Sequence, residues 1–357
     1  MEKRLNLAII GQGRSGKDIH GAYYLSERNK YYNVKYVVDA DERRRAISLE
    51  RYAGCIALAD YRELYNYDDV DIVVNASYSE QHYEITKDLL EHKLNVLTEK
   101  PFAKTREQCD TLIRTAEENG VILAVFQNTQ LAPFYLDAIK VAKEGKIGEV
   151  KQVSIRYNSL SRRWDWQTLL KRVAGSAYNT GPHPIAMGLG FLDFDKDTRL
   201  AYSKLDLALT SGDADDYVKL IITAPGKPVV DIEINSTDAM SDYNIKLQGT
   251  RGTFKSTPGA YKCIYLLDEE LSPRPVIEEF LQDENGNPLY CSEKLNRHTE
   301  EGKYEGTAFD VGTSGIYESL YKAITEKTPL AVTNEEAALV IDMIEQAHIQ
   351  NPLPVLF

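Results

Sequence analysis

Leu5 to Ile10 is apolar at almost every position and runs directly into Gly11-Gln12-Gly13-Arg14-Ser15-Gly16. A short run that is apolar on both faces suits a parallel strand covered by two layers better than a half-exposed one. Helical patterning continues after Gly16 to about Ser26, and a second strand, Val34 to Val38, ends at Asp39. GxGxxG alone is a weak signal. Here it sits between a strand and a helix, and Asp39 follows Gly16 by 23 positions, close to the spacing of about 20 expected for an acid that binds a ribose. Gly11 permits the tight turn, Gly13 lets the backbone approach a pyrophosphate, and Gly16 brings helix and strand together. Free N–H groups at the start of the helix face the anion, and Gln12, Arg14 and Ser15 complete the turn. This unit predicts a dinucleotide site. Asp39 favours NAD, because a carboxylate accepts from the ribose 2′-OH and repels a 2′-phosphate. Arg43, Arg44 and Arg45, on a helix opened by Asp41 and Glu42, leave NADP open.

The alternation continues. Val70 to Val74 is a strand ending in Asn75-Ala76-Ser77, a helix runs from about Glu80 to His92, and the strand Leu94 to Leu97 ends in Thr98-Glu99-Lys100-Pro101. Thr105 and Gln108 form a capping pattern ahead of a helix to Asn119, and Val121 to Phe126 is a further strand. A doubly wound parallel sheet follows, with ligands at the carboxyl ends of its strands. Asn75, Ala76, Ser77, Glu99, Lys100 and Asn128 occupy such ends. His20 and His82 lie early in helices after binding turns and read as packing residues, with His82 also counted on the cofactor side.

Beyond residue 127 strands dominate after one helix, Tyr135 to Glu144. Val153, Ile155 and Tyr157 alternate with Ser154, Arg156 and Asn158, the period of a half-buried strand. Leu205–Thr210, Tyr217–Thr223, Val229–Asn235, Asn244–Gln248 and Ile264–Leu267 read likewise, residues 268–306 read as long loops, and two helices close the chain near Ile316–Glu326 and from Glu335. The expected architecture is α/β: a Rossmann domain over residues 1–127 and an α+β domain over 128–357 built on a large, mostly antiparallel, open-faced sheet. A length of 357 residues agrees with two domains at roughly 150 each.

The formal charge of −12 argues against nucleic acid and anionic membrane as partners while leaving room for one small anion at backbone amides. Four cysteines without a CxxC pair, and no signal peptide or membrane-length apolar run, make a cytoplasmic location the expectation. Six histidines without HxH or HExxH give no support for a metal.

In order along the chain, Gly11-x-Gly13-x-x-Gly16, Glu99-Lys100-Pro101, Gly145-Lys146-Ile147-Gly148-Glu149-Val150, Asn179-Thr180-Gly181-Pro182-His183 and Gly249-Thr250-Arg251-Gly252-Thr253 resemble the Gfo/Idh/MocA oxidoreductase family. That resemblance covers nearly the whole chain. It implies an NAD(P)-dependent dehydrogenase or reductase acting on a sugar, cyclitol or related polyol, and a homodimer or homotetramer formed through the C-terminal sheet. It places Lys100 beside the nicotinamide and the reacting carbinol, and His183 as acid/base. The chain departs from the family at Asn179, where an aspartate is usual, at Ala186, where a second acid is common, and at Thr129-Gln130, where arginines often follow Asn128.

To oxidise a secondary alcohol, a base takes the hydroxyl proton as hydride leaves carbon, and a nearby cation stabilises the developing alkoxide. Lys100 suits the cation and His183 the base, with Asn179 orienting the imidazole through a hydrogen bond. Having no carboxylate partner, His183 should be a weaker base than in relatives, leaving more of the proton transfer to Lys100. For the substrate, the segment Tyr157 to Trp166 leads toward the cleft, and Asn158, Arg163, Trp164 and Thr180 are the candidate contacts. Two other functions remain open. One is cleavage of a glycoside through transient oxidation by bound NAD, and the other is dinucleotide sensing without catalysis. A short-chain-dehydrogenase pair is disfavoured, because Tyr31 and Lys35 lead into a strand rather than lying on a helix.

Overall fold

The first apolar run forms β1 (Leu5–Ile10) in the computed structural model, which describes residues 3–357. Leu7, Ala8 and Ile9 have no exposed surface, as a strand covered on both faces requires. β2 (Tyr32–Val38) and β3 (Ile56–Leu58) extend the sheet on one side of β1. β4 (Ile72–Asn75), β5 (Val96–Thr98) and β6 (Leu123–Val125) extend it on the other. The order is β3-β2-β1-β4-β5-β6 and every pair is parallel. Connections therefore run in opposite directions from β1 and from β4, which opens a crevice at the carboxyl ends of those two strands.

The crossovers are α1 (Gly21–Leu25), entered through a π-wound turn over Ser15–His20, then α2 (Glu42–Arg51), α3 (His82–Glu91) and α4 (Arg106–Asn119). Asp41 caps α2 by accepting from the Arg43 amide, and Thr105 caps α4 by accepting from the Gln108 amide.

α5 (Pro133–Glu144) leads into β7 (Val150–Arg156), after which α6 (Ser176–Asn179) and α7 (Pro182–Phe191) precede the remaining strands. These are β8 (Arg199–Asp206), β9 (Tyr217–Thr223), β10 (Val229–Asn235), β11 (Ile245–Gly249), β12 (Gly252–Ser256), β13 (Ala260–Tyr265) and β14 (His298–Lys303). The second sheet runs β14-β13-β12-β11-β7-β10-β9-β8 and is antiparallel except where β7 meets β10. Alternate residues of β7, β9 and β10 are fully buried, and on the opposite face Arg156, Lys219, Asp231 and Glu233 form one ion-pair network.

α8 (Thr313–Glu326) and α9 (Asn334–Gln350) close the chain. Ile316, Tyr317, Leu320 and Tyr321 of α8 share an apolar cluster with Leu7, Ile9, Val37 and Phe126, so a late helix covers one face of the first sheet. α9, boxed by Thr333 and Glu336, packs against α4, α7 and β8.

Two expectations are corrected. The strand expected over Leu205–Thr210 lies earlier, at Arg199–Asp206, because the Ala208, Leu209 and Thr210 amides donate to the buried Asp216 carboxylate and leave the ladder. The segment read as loop after residue 268 contains β14, a polar edge strand whose partner is β13. Its residues carry no apolar alternation, so pairing alone makes it a strand. The four cysteines are free thiols, and among the described residues no helix is long and apolar enough to cross a membrane.

Candidate active site

The crevice is a cleft of about 860 Å³ lined from both sheets. Gly11, Gly13, Arg14, Ser15, Asp39, Ala76, Ser77, His82, Glu99, Lys100 and Asn128 line it from the first sheet side, and Arg163, Asn179, Thr180 and His183 from the other. Those expected site residues are thus brought together. Gly11 has φ +85°, and a Cβ there would run into the Ala76 carbonyl; a Cβ on Gly16 would overlap the Gly11 carbonyl oxygen. A Cβ on Gly13 would meet nothing within 4 Å. Gly13 therefore leaves the backbone bare where it faces the cleft, and this cradle fits a pyrophosphate. A matched pair of variants tests the division. Gly16→Ala is expected to lose about 3 kcal/mol of stability through overpacking, read as a lower melting temperature. Gly13→Ala should melt normally and bind NAD about tenfold more weakly by calorimetry.

Asp39 accepts at Oδ2 from the Gln12 amide (2.7 Å) and at Oδ1 from the Asp41 amide (2.9 Å), which fixes its carboxylate at the rim of the glycine turn. Of the three arginines beyond it, Arg44 lines the cleft, 3.6 Å from Asp39. Arg45 turns back onto the carbonyls of Asp39 and Ala40.

Lys100 leads into a cis Pro101 and points its Nζ to the Asn179 carbonyl of α6 (2.8 Å). Burial lowers its pKa from the usual lysine value, with Arg14 and Arg163 adding to that and Glu99 opposing it. Glu99 is buried; its Oε1 accepts from Ser15 and from His20 (3.1 Å), and its Oε2 from the Lys100 amide (3.0 Å). Burial alone would raise its pKa, but His20, Lys100 and Ser15 hold the carboxylate at about 2. His20 Nδ1 meets the Tyr317 hydroxyl of α8 at 2.7 Å. The ring nitrogens of His82 lie against the carbonyls of Pro101 (2.8 Å) and Ser77 (3.2 Å), tying the Lys100 turn to the end of β4.

His183 sits in the first turn of α7 with Nδ1 at 3.0 Å from Thr129 Oγ1. Its Nε2 has no protein partner among the described residues and is left for the cleft. Burial first, and then the Lys100 ammonium, push the imidazole down to about 3, so it is neutral at pH 7. The expected hydrogen bond from Asn179 to this ring is absent: Asn179 Oδ1 accepts from Gln167 Nε2 (3.1 Å). Thr129 does the orienting, from a position that the sequence marked only as a departure.

Several other residues stand elsewhere than expected. Trp164 is 79% exposed and outside the lining, while Trp166 lines the cleft and packs edge-on against Tyr78 at 5.1 Å. Asn158 is engaged by Glu233 and Asp238 (2.9 Å each) on the sheet and does not reach the cleft. Gln12, Asn75 and Gly16 lie behind the surface: Gln12 is buried against Ser48, Asn75 donates to Thr86 and to the His82 carbonyl, and Gly16 packs on Gly11. Tyr78, Gln167 and Phe309 line the cleft without having been singled out. Tyr78 sits in a loop, Gln167 in the one-turn helix Trp166–Thr168 and Phe309 in the π-wound turn Ala308–Gly312, elements too short for residue spacing to carry a signal.

Residues 5–127 match the family model described as "Oxidoreductase family, NAD-binding Rossmann fold", and residues 135–255 match the "GFO/IDH/MocA C-terminal domain". The chain is 25% identical to the uncharacterized oxidoreductase YhhX of Escherichia coli K12, over 97% of this chain and 96% of that one. It is 28% identical to inositol 2-dehydrogenase 2 of Saccharopolyspora erythraea over 80% and 83% of the two chains. It is also 23% identical to the 2,7-anhydro-N-acetylneuraminate hydratase of Mediterraneibacter gnavus over 71% and 67%. Its fold is similar to that of GenD2 from gentamicin A biosynthesis, solved in complex with NAD, with a TM-score of 0.74 at 19% identity over 100% and 97% of the two chains. A glycine turn with an acid fixed at its rim and two matched domain models have one meaning: the chain belongs to the Gfo/Idh/MocA family of NAD(P)-dependent oxidoreductases.

Proposed function

We propose that the chain transfers hydride between NAD and a secondary alcohol or ketone of a sugar, cyclitol or sugar derivative. The observation that carries this reading is that Lys100 from one side of the cleft and His183 from the other are close enough for the ammonium to act on the imidazole, each tied at one end and presenting a polar atom to the cleft. A bound nicotinamide supplies or accepts the hydride. Gly11, Gly13 and Ser15 would hold its pyrophosphate and Asp39 its adenosine ribose. With the His183 proton on Nδ1, donated to Thr129 Oγ1, Nε2 is the acceptor for the carbinol proton. Lys100 donates to the same oxygen and stabilises negative charge as it develops there. A base held near 3 takes a proton poorly, so Lys100 carries the larger share of the barrier reduction.

The test is a panel of sugars and cyclitols assayed for NADH formation, with the reverse reaction run on the corresponding ketones. Silence across that panel with both NAD and NADP would sink the reading. The hydratase relative favours a second one, in which the sugar is oxidised transiently and a substituent eliminated before the hydride returns. Product accumulating without net NADH distinguishes it.

Asp39→Ala removes the acceptor for the ribose and frees Arg44. The expected outcome is an increase of about 100-fold in the ratio of NADP to NAD kcat/KM; an unchanged ratio shows that Asp39 is not the selector. Thr129→Val should lower kcat about tenfold with little change in substrate KM, because it releases the His183 ring without touching the binding surface. We further infer that subunits associate through the open face of the second sheet, where the Arg156 and Lys219 ion-pair network lies. Glu233→Lys should then shift the mass found by light scattering.

A further inference from the structure

A second chamber, of about 190 Å³, adjoins the cleft. Arg163, Gln167, Asn179 and Thr180 line both spaces, whereas Lys100 and His183 line only the larger. A group filling the chamber therefore lies one residue away from the reacting atoms.

The chamber walls come from the ends of β7 and β10, from α6 and from the turn ahead of β9. The hydroxyls of Ser176, Thr180, Thr210 and Ser236 line it and have no protein hydrogen-bond partner among the described residues. Asp215, 1% exposed, accepts at Oδ2 from the Ala177 amide (2.7 Å), while its Oδ1 has no hydrogen-bond partner and lies 3.8 Å from His348 Nε2. The single cation on the wall, Arg163, is neutralised by Asp165 at 2.8 Å. The hydroxyls are open to the chamber and to water, so a ligand seated there can take up their hydrogen bonds in place of solvent. With no unpaired cation the recess does not suit phosphate or carboxylate. Its donors and acceptors suit a neutral ring bearing several hydroxyls, and its size is on the scale of one such ring.

We propose that this chamber is a second sugar subsite, so that the substrate oxidised at Lys100 and His183 is a glycoside or disaccharide rather than a free monosaccharide. This rests on the reading of the cleft as a sugar oxidoreductase site. The chamber selects substrates by holding the ring that does not react.

Calorimetry on the enzyme saturated with NADH, in which no oxidation takes place, tests the subsite apart from the reaction. Glucose and galactose are compared with maltose, cellobiose, lactose and melibiose. At least one disaccharide should bind about tenfold more tightly than its component monosaccharides. Thr210→Val, on a half-exposed turn, and Ser236→Val should each remove that gain and leave monosaccharide affinity unchanged. Disaccharides binding no better than monosaccharides would overturn the proposal, as would a gain that survives both variants. A disaccharide that binds tightly yet gives no NADH when NAD replaces NADH keeps the subsite and removes the dehydrogenase reading.

Discussion

Replacing Lys100 by Met lowers kcat/KM for the alcohol about a thousand-fold and leaves the Kd for NAD close to its starting value. The side chain is held by one contact, the Asn179 carbonyl, and its remaining N–H groups face the cleft. Met keeps most of the stem volume and removes the charge, so the variant separates electrostatics from packing. Removing a single preorganised donor to a developing oxyanion typically costs 10²–10³ in rate, and here the donor also carries a full charge. His183→Ala should cost less, about tenfold to a hundredfold, because burial and Lys100 already hold that imidazole down to about 3. The pH profiles carry the sign. His183 is neutral above about 3 and sets no acid limb in the working range, whereas Lys100 must remain protonated, so kcat/KM should fall on the alkaline side, below the usual lysine pKa of 10.5. In Lys100→Met that alkaline limb disappears. A Lys100→Met enzyme within fivefold of the parent would remove the lysine from the mechanism.

The second large effect is on stability. Glu99→Ala is expected to cost about 3 kcal/mol, the usual penalty for breaking a buried charged pair, because it strips the acceptor from Ser15, His20 and the Lys100 amide together. Denaturant titration of parent and variant measures it. Linkage gives the pH dependence. The folded carboxylate is held at about 2 against an ordinary value of 4.5, so its contribution is fully present above about 4.5 and is lost as pH falls through about 2. The stability gap between parent and variant should therefore narrow within that window and stay level from pH 5 to 8. A gap that persists unchanged at pH 2 would mean that Glu99 acts through packing rather than charge. The same variant should lower kcat, since the Lys100 backbone loses one of its anchors.

The part of the site closest to the chain's own local geometry was legible before any fold was known. Gly11, Gly13 and Gly16 are required by a positive φ and by close approaches within one turn, and Asp39 follows from the length of one crossover. The parallel sheet followed from apolar runs alternating with helical ones, and Lys100 and His183 from motifs of three to five residues. What escaped is governed by contacts between distant positions. Thr129 orients His183 across 54 positions, and His20 meets Tyr317 across 297. Trp166 rather than Trp164 faces the cleft because the Asp165 side chain caps a short turn there, accepting from the Gln167 amide, and that turn sets where each indole points. β14 exists because β13 offers an edge, and α8 is needed to cover a sheet that ended nearly 190 positions earlier. The sequence by itself determined the dinucleotide turn and the two kinds of sheet, because backbone sterics and hydrophobic period act over a few residues, whereas Lys100 and His183 are a pair proposed from the resemblance of two short motifs. Tertiary structure decided which side chains hold that pair and what lies beside it, because hydrogen-bond partners across the chain are chosen only when packing brings them within about 3 Å.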